Sequence, residues 1–189
     1  MRIIAGTAGR RNFRVPSAGK AEVRPTTDRT REALFSMLAH LIPGAKVLDL
    51  FAGSGSLGLE SISRGAETCV FVDENRECIN TVKMNLRTLR LEGGKVIQAD
   101  VMKFLSKVSL SQYDVIFADP PYWKHQGDRD FVAEMFAMDE FSNLLTDEGM
   151  LVIEADERAE IAGSECWELV DKRKYGGCSI HFFQKKGAE

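Results

Sequence analysis

Asp119, Pro120, Pro121 and Tyr122 follow directly on the apolar run Val115-Ile116-Phe117-Ala118. A strand through that run delivers the four residues to its carboxyl end, the edge at which open α/β sheets take ligands. Two successive prolines stiffen the turn and remove N–H donors, so the backbone offers carbonyls. Together with the Asp119 carboxylate they make a cradle that only accepts hydrogen bonds. Such a cradle suits a planar NH2 group, which has two hydrogens to donate. Binding both hydrogens builds electron density on a delocalised nitrogen and favours the pyramidal geometry of attack, a preorganised electrostatic effect. Tyr122 is suited to stacking on a target ring, and Trp123 adds a second aromatic nearby. A nucleobase reached this way must be unpaired or flipped from its stack. Asp119, Pro120, Pro121 and Tyr122 are therefore the candidate catalytic residues.

About sixty-five residues upstream, Val47-Leu48-Asp49-Leu50-Phe51-Ala52-Gly53-Ser54-Gly55-Ser56-Leu57-Gly58 satisfies the pattern GxGxxG between a strand and a helix. Glycines let the backbone approach a ligand closely, and the helix that follows presents free N–H groups. Asp73 lies twenty residues beyond Gly53, where a carboxylate can accept hydrogen bonds from ribose hydroxyls. These features alone fit both a dinucleotide and S-adenosylmethionine, since each carries an adenosine ribose. Two details favour the second. Asp49 sits inside the strand, where a pyrophosphate gains nothing from a negative charge but a sulfonium with an amino group can use one. Asp100, ending a third strand-like run, can accept from an adenine amino group. Asp49, Gly53, Ser54, Gly55, Gly58, Asp73 and Asp100 are the candidate cofactor residues, with S-adenosylmethionine the expected cofactor.

The elements that must hold these residues alternate. Strand-like runs at 46–51, 68–72, 95–99, 113–118 and 149–154 are separated by helix-like segments at 57–64, 76–89, 101–108 and 131–145. That rhythm predicts a parallel sheet with crossover helices, and the nearly continuous apolar strands fit a sheet covered on both faces. Two closing runs, 167–175 and 178–184, are joined by Gly176-Gly177. So short a link requires an antiparallel hairpin. Ahead of this core, 2–5 and 12–15 read as two short strands around a basic turn. A helix over 28–41 follows, with Thr27 as its N-cap and Pro43-Gly44 as its stop. The expected fold is Rossmann-like α/β: a seven-stranded, mostly parallel sheet with helices on both faces, a C-terminal antiparallel hairpin and a small N-terminal β-hairpin extension.

With 189 residues, 44% of them hydrophobic and 28% charged, the chain has the composition of one ordinary globular domain. Its net charge of −3 hides an asymmetry. Residues 1–31 carry eight basic side chains against Glu22 and Asp28, a local balance of +6, which leaves −9 for the rest. A basic arm can grip a polyanion while the acidic remainder stays soluble. Arg10, Arg11, Arg14 and Arg24 are the candidate phosphate contacts, which would position a nucleic acid without reading its sequence. Division into a basic extension (1–27) and a catalytic domain (28–189) is expected.

The cysteines, Cys69, Cys78, Cys166 and Cys178, show no CxxC pair and no metal-ligand spacing. Free thiols in a reducing cytosol are expected, and no metal. No apolar stretch approaches the length of a membrane span. His40, His125 and His181 are scattered and form no hydrolase or metal set.

Taken together, residues 46–184 resemble the class I S-adenosylmethionine methyltransferases. Asp49–Gly58 matches that family's glycine motif, Asp73 its ribose-binding acid, Asp100 its adenine-side acid, and Asp119–Tyr122 the [DNS]PP[YFW] motif of amine methyltransferases. A narrower resemblance spans nearly the whole chain. Met1-Arg2-Ile3-Ile4-Ala5-Gly6, Arg24-Pro25-Thr26-Thr27-Asp28-Arg29, Arg31-Glu32-Ala33-Leu34-Phe35, Asp49–Gly55 and Tyr175-Gly176 are similar to bacterial RsmD-type enzymes. That resemblance implies methyl transfer to N2 of a guanine in small-subunit ribosomal RNA, free or in an assembling subunit; a cytoplasmic monomer is expected. It also implies that the Arg-Pro-Thr segment, and so Thr26, lies near the methionine end of the cofactor, and that the N-terminal extension contacts RNA. The stretch 124–130 matches nothing in the pattern. DNA adenine-N6 and protein glutamine-N5 transfer use the same cradle and stay open on the motif alone. An NAD-binding oxidoreductase would leave Asp119–Tyr122 unexplained, and a non-catalytic RNA-binding module would leave both motifs so.

Overall fold

A computed structural model describes residues 1–17, 28–108, 112–121, 129–138 and 140–187. One seven-stranded sheet runs through it: β1 (Lys46–Leu50), β2 (Thr68–Asp73), β3 (Gly94–Gln98), β4 (Tyr113–Ala118), β5 (Leu145–Asp156), β6 (Trp167–Tyr175) and β7 (Cys178–Lys185). Their order is β3-β2-β1-β4-β5-β7-β6. The first five strands are parallel, and β7 enters antiparallel between β5 and β6. The hairpin thus folds back so that its second strand, not its first, pairs with β5, and its first forms the sheet edge.

Helices cover both faces. On one, α1 (Asp28–Met37), α2 (Ser56–Ser63) and α3 (Arg76–Leu89) bury Leu34, Phe35, Leu59, Ile62, Val82 and Leu86 against Val47, Phe71, Phe117 and Val152. On the other, α4 (Val101–Leu105) and α5 (Phe131–Phe136) bury Leu105 and Met135 against Leu48, Ile116, Leu151 and Ile153. The alternation along β1 and β4 follows from the two-residue period of a strand with both faces covered. α3 shows the helical counterpart: Ile79, Val82, Leu86 and Leu89 bury one stripe, and the Asn75 side chain caps the first turn through Glu77 N–H.

Three sequence-derived boundaries shift. The helix expected over 131–145 ends at Phe136, a short 3-10 turn follows at Ser142–Leu144, and β5 begins at Leu145. Phe136 and Phe141 both pack on the Trp167 ring, with centroids at 5.7 and 5.2 Å. Residues five apart point roughly 140° away from each other on a continuous helix, so the helix must break for both to reach one ring. β5 therefore starts four residues before the expected 149, and a register irregularity between Tyr113 and Val115 absorbs its polar first half. The helix expected over 28–41 ends at Met37 and continues as turns to Gly44. Its expected cap, Thr27, lies outside the described residues.

The N-terminal extension is a short hairpin held by one antiparallel bridge, Arg2 to Asn12, rather than two regular strands. Its backbone is stitched to α2. Ile4 and Ala5 N–H groups donate to the buried Glu60 carboxylate at 2.8 and 3.0 Å, and Ser63 Oγ donates to Ala5 O at 2.6 Å. Gly6 makes the approach possible: φ is +82°, and a Cβ there would lie 1.7 Å from Ser63 O. Ile3, Ala8 and Phe13 complete the core on that face. Of the cysteines, all free, Cys69 is buried, Cys78 and Cys178 are half-buried and Cys166 is exposed.

Candidate active site

Because β2 and β3 lie to one side of β1 while β4 and β5 lie to the other, the chain reverses its winding between β1 and β4. At such a point the flanking loops part and leave a crevice at the carboxyl ends of the strands. Every described residue singled out for chemistry, apart from the arginines, sits on that edge.

β1 leads into the crevice through a strained loop. Phe51, Gly53 and Gly55 all have positive φ, at 57°, 53° and 79°. A bulky side chain in that region is a true outlier, of a kind that clusters at functional sites and costs about 1–3 kcal/mol. A Cβ on Gly53 would meet only Phe51 O, at 3.9 Å, so a side chain there would fill the crevice itself. Gly58 acts differently. A Cβ there would lie 2.3 Å from Phe71 Cε1 and 2.6 Å from Cys69 Sγ, so its absence lets α2 seat directly on β2. The Ser54 backbone is fixed from behind by Asn85 Nδ2, which donates to its carbonyl at 3.2 Å.

The carboxylates are arranged along the same edge. Asp49, 2% exposed, accepts from Gly58 N–H at 3.0 Å. Burial, reinforced by the charge of Asp73, pushes its carboxyl up to about 8 against the bond from Gly58. Such a group is short of positive charge, and a cationic ligand in the crevice would supply it. Asp73 ends β2 and accepts from Gly53 N–H and Asn75 N–H, each at 2.8 Å. It thereby fixes the glycine loop while standing beside it. Asp100 caps α4 through Lys103 N–H at 2.8 Å, and Arg129 Nη1 lies 3.8 Å from its other oxygen. Arg129 in turn forks onto Glu134, with both bonds at 2.7 Å, and covers the Phe131 ring.

Asp119 follows β4, its N–H reaching Leu50 O at 3.5 Å. It is half-buried, Pro120 buried and Pro121 exposed. β4 pairs with β5 through Ala118 and Ile153, so the next step of the ladder sets Asp119 opposite Glu154. Glu154 is 5% exposed. Burial, then the charges of Glu154 and Asp49, push the Asp119 carboxyl well above its ordinary range. Pro120, Pro121 and Glu154 open onto a cavity of about 720 Å³, closed on the far side by α5 and by residues 158–162. That volume is in the range of small-molecule sites.

The expected residues thus divide. Asp49, Gly53, Ser54, Gly55, Gly58, Asp73 and Asp119–Pro121 converge on the β1–β4 crevice, and Asp100 stands further along the same edge, beyond β3. Tyr122, Thr26 and Arg24 lie outside the described residues, as does His125. Arg10 and Arg14 are exposed on the N-terminal hairpin. Arg14 is anchored by its backbone, which exchanges two 2.9 Å bonds with the Asn85 side chain. Arg11 caps the end of α3 instead, its guanidinium donating to Leu89 O at 2.6 Å and to Thr88 O.

Glu154 and Asn85 are the site residues that the sequence reading does not single out. Glu154 carried a signal, an acid closing the β5 run as Asp119 closes β4. Asn85 carried none, since it is one polar residue among several on a helix. Ser179 Oγ and His181 Nε2 also meet, at 2.9 Å, but Ser179 Oγ bonds Asp156 O and burial lowers His181 to about 4. No described acid orients the ring, so the pair makes no hydrolase site.

Comparison with known proteins identifies the family and the fold. The family model described as Conserved hypothetical protein 95 matches residues 1–184. YlbH of Bacillus subtilis is 35% identical over 192 residues, covering 99% of this chain and 100% of that one. Ribosomal RNA small subunit methyltransferase D of Escherichia coli is 32% identical over 187 residues, covering 98% and 90%. Among solved structures, a hypothetical protein of Thermus thermophilus superposes with a TM-score of 0.79 at 30% identity, over 96% of this chain and 98% of that one. The T. thermophilus 16S rRNA N2 methyltransferase RsmC, in complex with AdoMet and guanosine, shares the fold at a TM-score of 0.70 and 23% identity, over 91% and 45%. The chain belongs to the RsmD-type family, matched as Conserved hypothetical protein 95, and has its Rossmann-like methyltransferase fold.

Proposed function

We propose that the protein transfers a methyl group from S-adenosylmethionine to the exocyclic N2 of a guanine in small-subunit ribosomal RNA. The observation that carries this reading is Asp119-Pro120-Pro121 at the end of β4, beside the strained β1 loop at the point where the sheet reverses its winding. The kinship with the E. coli small-subunit rRNA methyltransferase D supports the substrate class.

The cofactor, when bound, supplies an electrophilic methyl on a sulfonium. Asp49, Gly53, Ser54, Gly55, Gly58, Asp73 and Asp100 are the residues to hold it, joined by Thr26 through the family resemblance. The buried Asp49 carboxyl fits the cation, and a dinucleotide pyrophosphate would meet it unfavourably. Asp119 Oδ and the Pro120 carbonyl accept the two N2 hydrogens and hold the nitrogen lone pair toward the methyl. As the N–C bond formed, the bond from the methyl to sulfur would break and leave a neutral thioether; the nitrogen would become acidic, and Asp119, already accepting from it, would take its proton. Tyr122 serves as the stacking platform for the flipped base. Arg10, Arg14 and Arg24, within the extension 1–27, grip phosphates. A ribosomal RNA substrate places the enzyme, acting as a monomer, in the cytoplasm.

The test is labelled-methyl incorporation into rRNA from a strain lacking the enzyme. Asp119→Ala is expected to keep cofactor binding by calorimetry and to lose transfer by at least about 100-fold. Unchanged transfer would remove Asp119 from its role, and binding of NAD in place of S-adenosylmethionine would overturn the reading.

A further inference from the structure

We infer that Glu154 reads guanine by accepting its N1–H beside the amine held at Asp119. The inference rests on the methyl-transfer reading above and deepens it. Glu154 and Asp119 each stand one residue beyond the last pair of the β4–β5 ladder, Ala118 and Ile153, close enough for the charge of Glu154 to act on Asp119. Glu154 lines the 720 Å³ cavity together with Pro120 and Pro121. A planar amine seated on Asp119 and Pro120 therefore presents its neighbouring ring atom towards the β5 end. What that atom is differs among the candidates. In guanine the amine is flanked by N1, which carries a hydrogen, and by bare N3, and only the N1 edge suits an acceptor at the β5 end. In adenine that atom is N1 and in cytosine N3, both bare lone pairs, and in a glutamine amide it is the carbonyl oxygen. A buried carboxylate opposite that position gains a charge-assisted bond from guanine and meets a repelling lone pair in each of the others. The Asp-Pro-Pro motif accepts any planar amine, and Glu154 selects among them.

Glu154 is a specificity residue on this account, so its test is a choice of base. Small-subunit rRNA is assembled with 2-aminopurine at the mapped target nucleotide. That analogue keeps the 2-amino group but has a bare N1. Wild-type enzyme is expected to prefer guanine by about 100-fold in kcat/KM, the upper end of what one hydrogen bond to a charged group contributes. Glu154→Gln offers an amide N–H to the bare N1 and is expected to narrow that preference to about tenfold or less, with cofactor affinity unchanged. Loss of the guanine O6 affects both enzymes alike, so the ratio isolates Glu154. Wild-type enzyme that methylates 2-aminopurine as well as guanine overturns the inference without any variant. A preference unchanged in Glu154→Gln also overturns it and leaves the methyl-transfer reading standing. If wild-type enzyme methylates no guanine, that reading fails first and takes this inference with it.

Discussion

The Asp49 carboxyl gives the proposed cofactor site a measurable dependence on pH. It ordinarily titrates at 3.8, and burial followed by the charge of Asp73 moves it to about 8 in the folded protein. At pH 7 about nine in ten unliganded molecules then carry a proton on Asp49. A sulfonium and an ammonium arriving beside it favour the charged form, so binding expels that proton. Affinity for S-adenosylmethionine is expected to rise about tenfold per pH unit up to roughly pH 8 and to level off above. Calorimetry at pH 7 in two buffers of different ionisation enthalpy should show about 0.9 proton released per cofactor bound. Asp49→Asn, which keeps an acceptor for Gly58 N–H, should flatten the profile and abolish the release. The unliganded protein supplies a second measure with a definite sign. A carboxyl raised on folding binds more protons when folded, so stability is intact below the unfolded pKa and falls as pH rises toward the folded one. Between pH 6 and pH 8 the loss is about 2 kcal/mol as an upper bound, visible as a falling urea midpoint that Asp49→Asn does not share. A wild-type affinity independent of pH, with no proton released, would refute the reasoning.

Gly58→Ala drives a Cβ into Phe71 and Cys69 and should destabilise the fold by about 1–3 kcal/mol in urea unfolding, with weakened cofactor binding as α2 lifts. Glu60→Gln removes one of the carboxylate oxygens that hold the Ile4 and Ala5 amides. Hydrogen exchange at those two amides should accelerate, and stability should drop by about 1–3 kcal/mol. Arg10→Ala should lower the slope of log affinity for RNA against log salt by roughly one contact, with folding unchanged. Arg11→Ala should instead lower thermal stability by about 1 kcal/mol, since its guanidinium serves the α3 carboxyl end.

Legibility from sequence followed burial. β1, β2 and β4 are apolar nearly throughout because both faces are covered, so their runs and the motifs at their ends can be read directly. The terminal hairpin was equally legible from Gly176-Gly177, whose φ values of 37° and 101° few other residues tolerate. The first half of β5 was not. Its residues Thr146, Asp147 and Glu148 look like a loop, and pairing of Tyr113 with Leu145 across a register irregularity, with bonds from Thr146 to Asp114 and from Lys185 to Asp147, holds the chain extended there. α5 was overread because Phe141 and Leu144 continue an apolar pattern whose true target is Trp167. At the site, each motif residue announced itself through local spacing. Glu154 gave only a partial sign, an acid closing the β5 run, because its meaning comes from a neighbour thirty-five positions earlier that the strand order brings alongside. Arg11 marks the opposite limit. A basic run suggests a polyanion, yet nothing local shows that one of its members has carbonyl oxygens 77 and 78 residues away to bind.

The stitching of the extension bears on how the chain assembles as it is made. Ile4 waits for Glu60, 56 residues later; Arg14 waits for Asn85, 71 later; Arg11 waits for Leu89, 78 later. Each of these residues thus leaves the ribosome well before its partner, and each closure is a long loop with its own entropic cost. Until α3 has emerged, Ile3, Ala8 and Phe13 have no complete surface to bury against. A growing chain therefore carries an apolar, positively charged segment exposed beside ribosomal RNA.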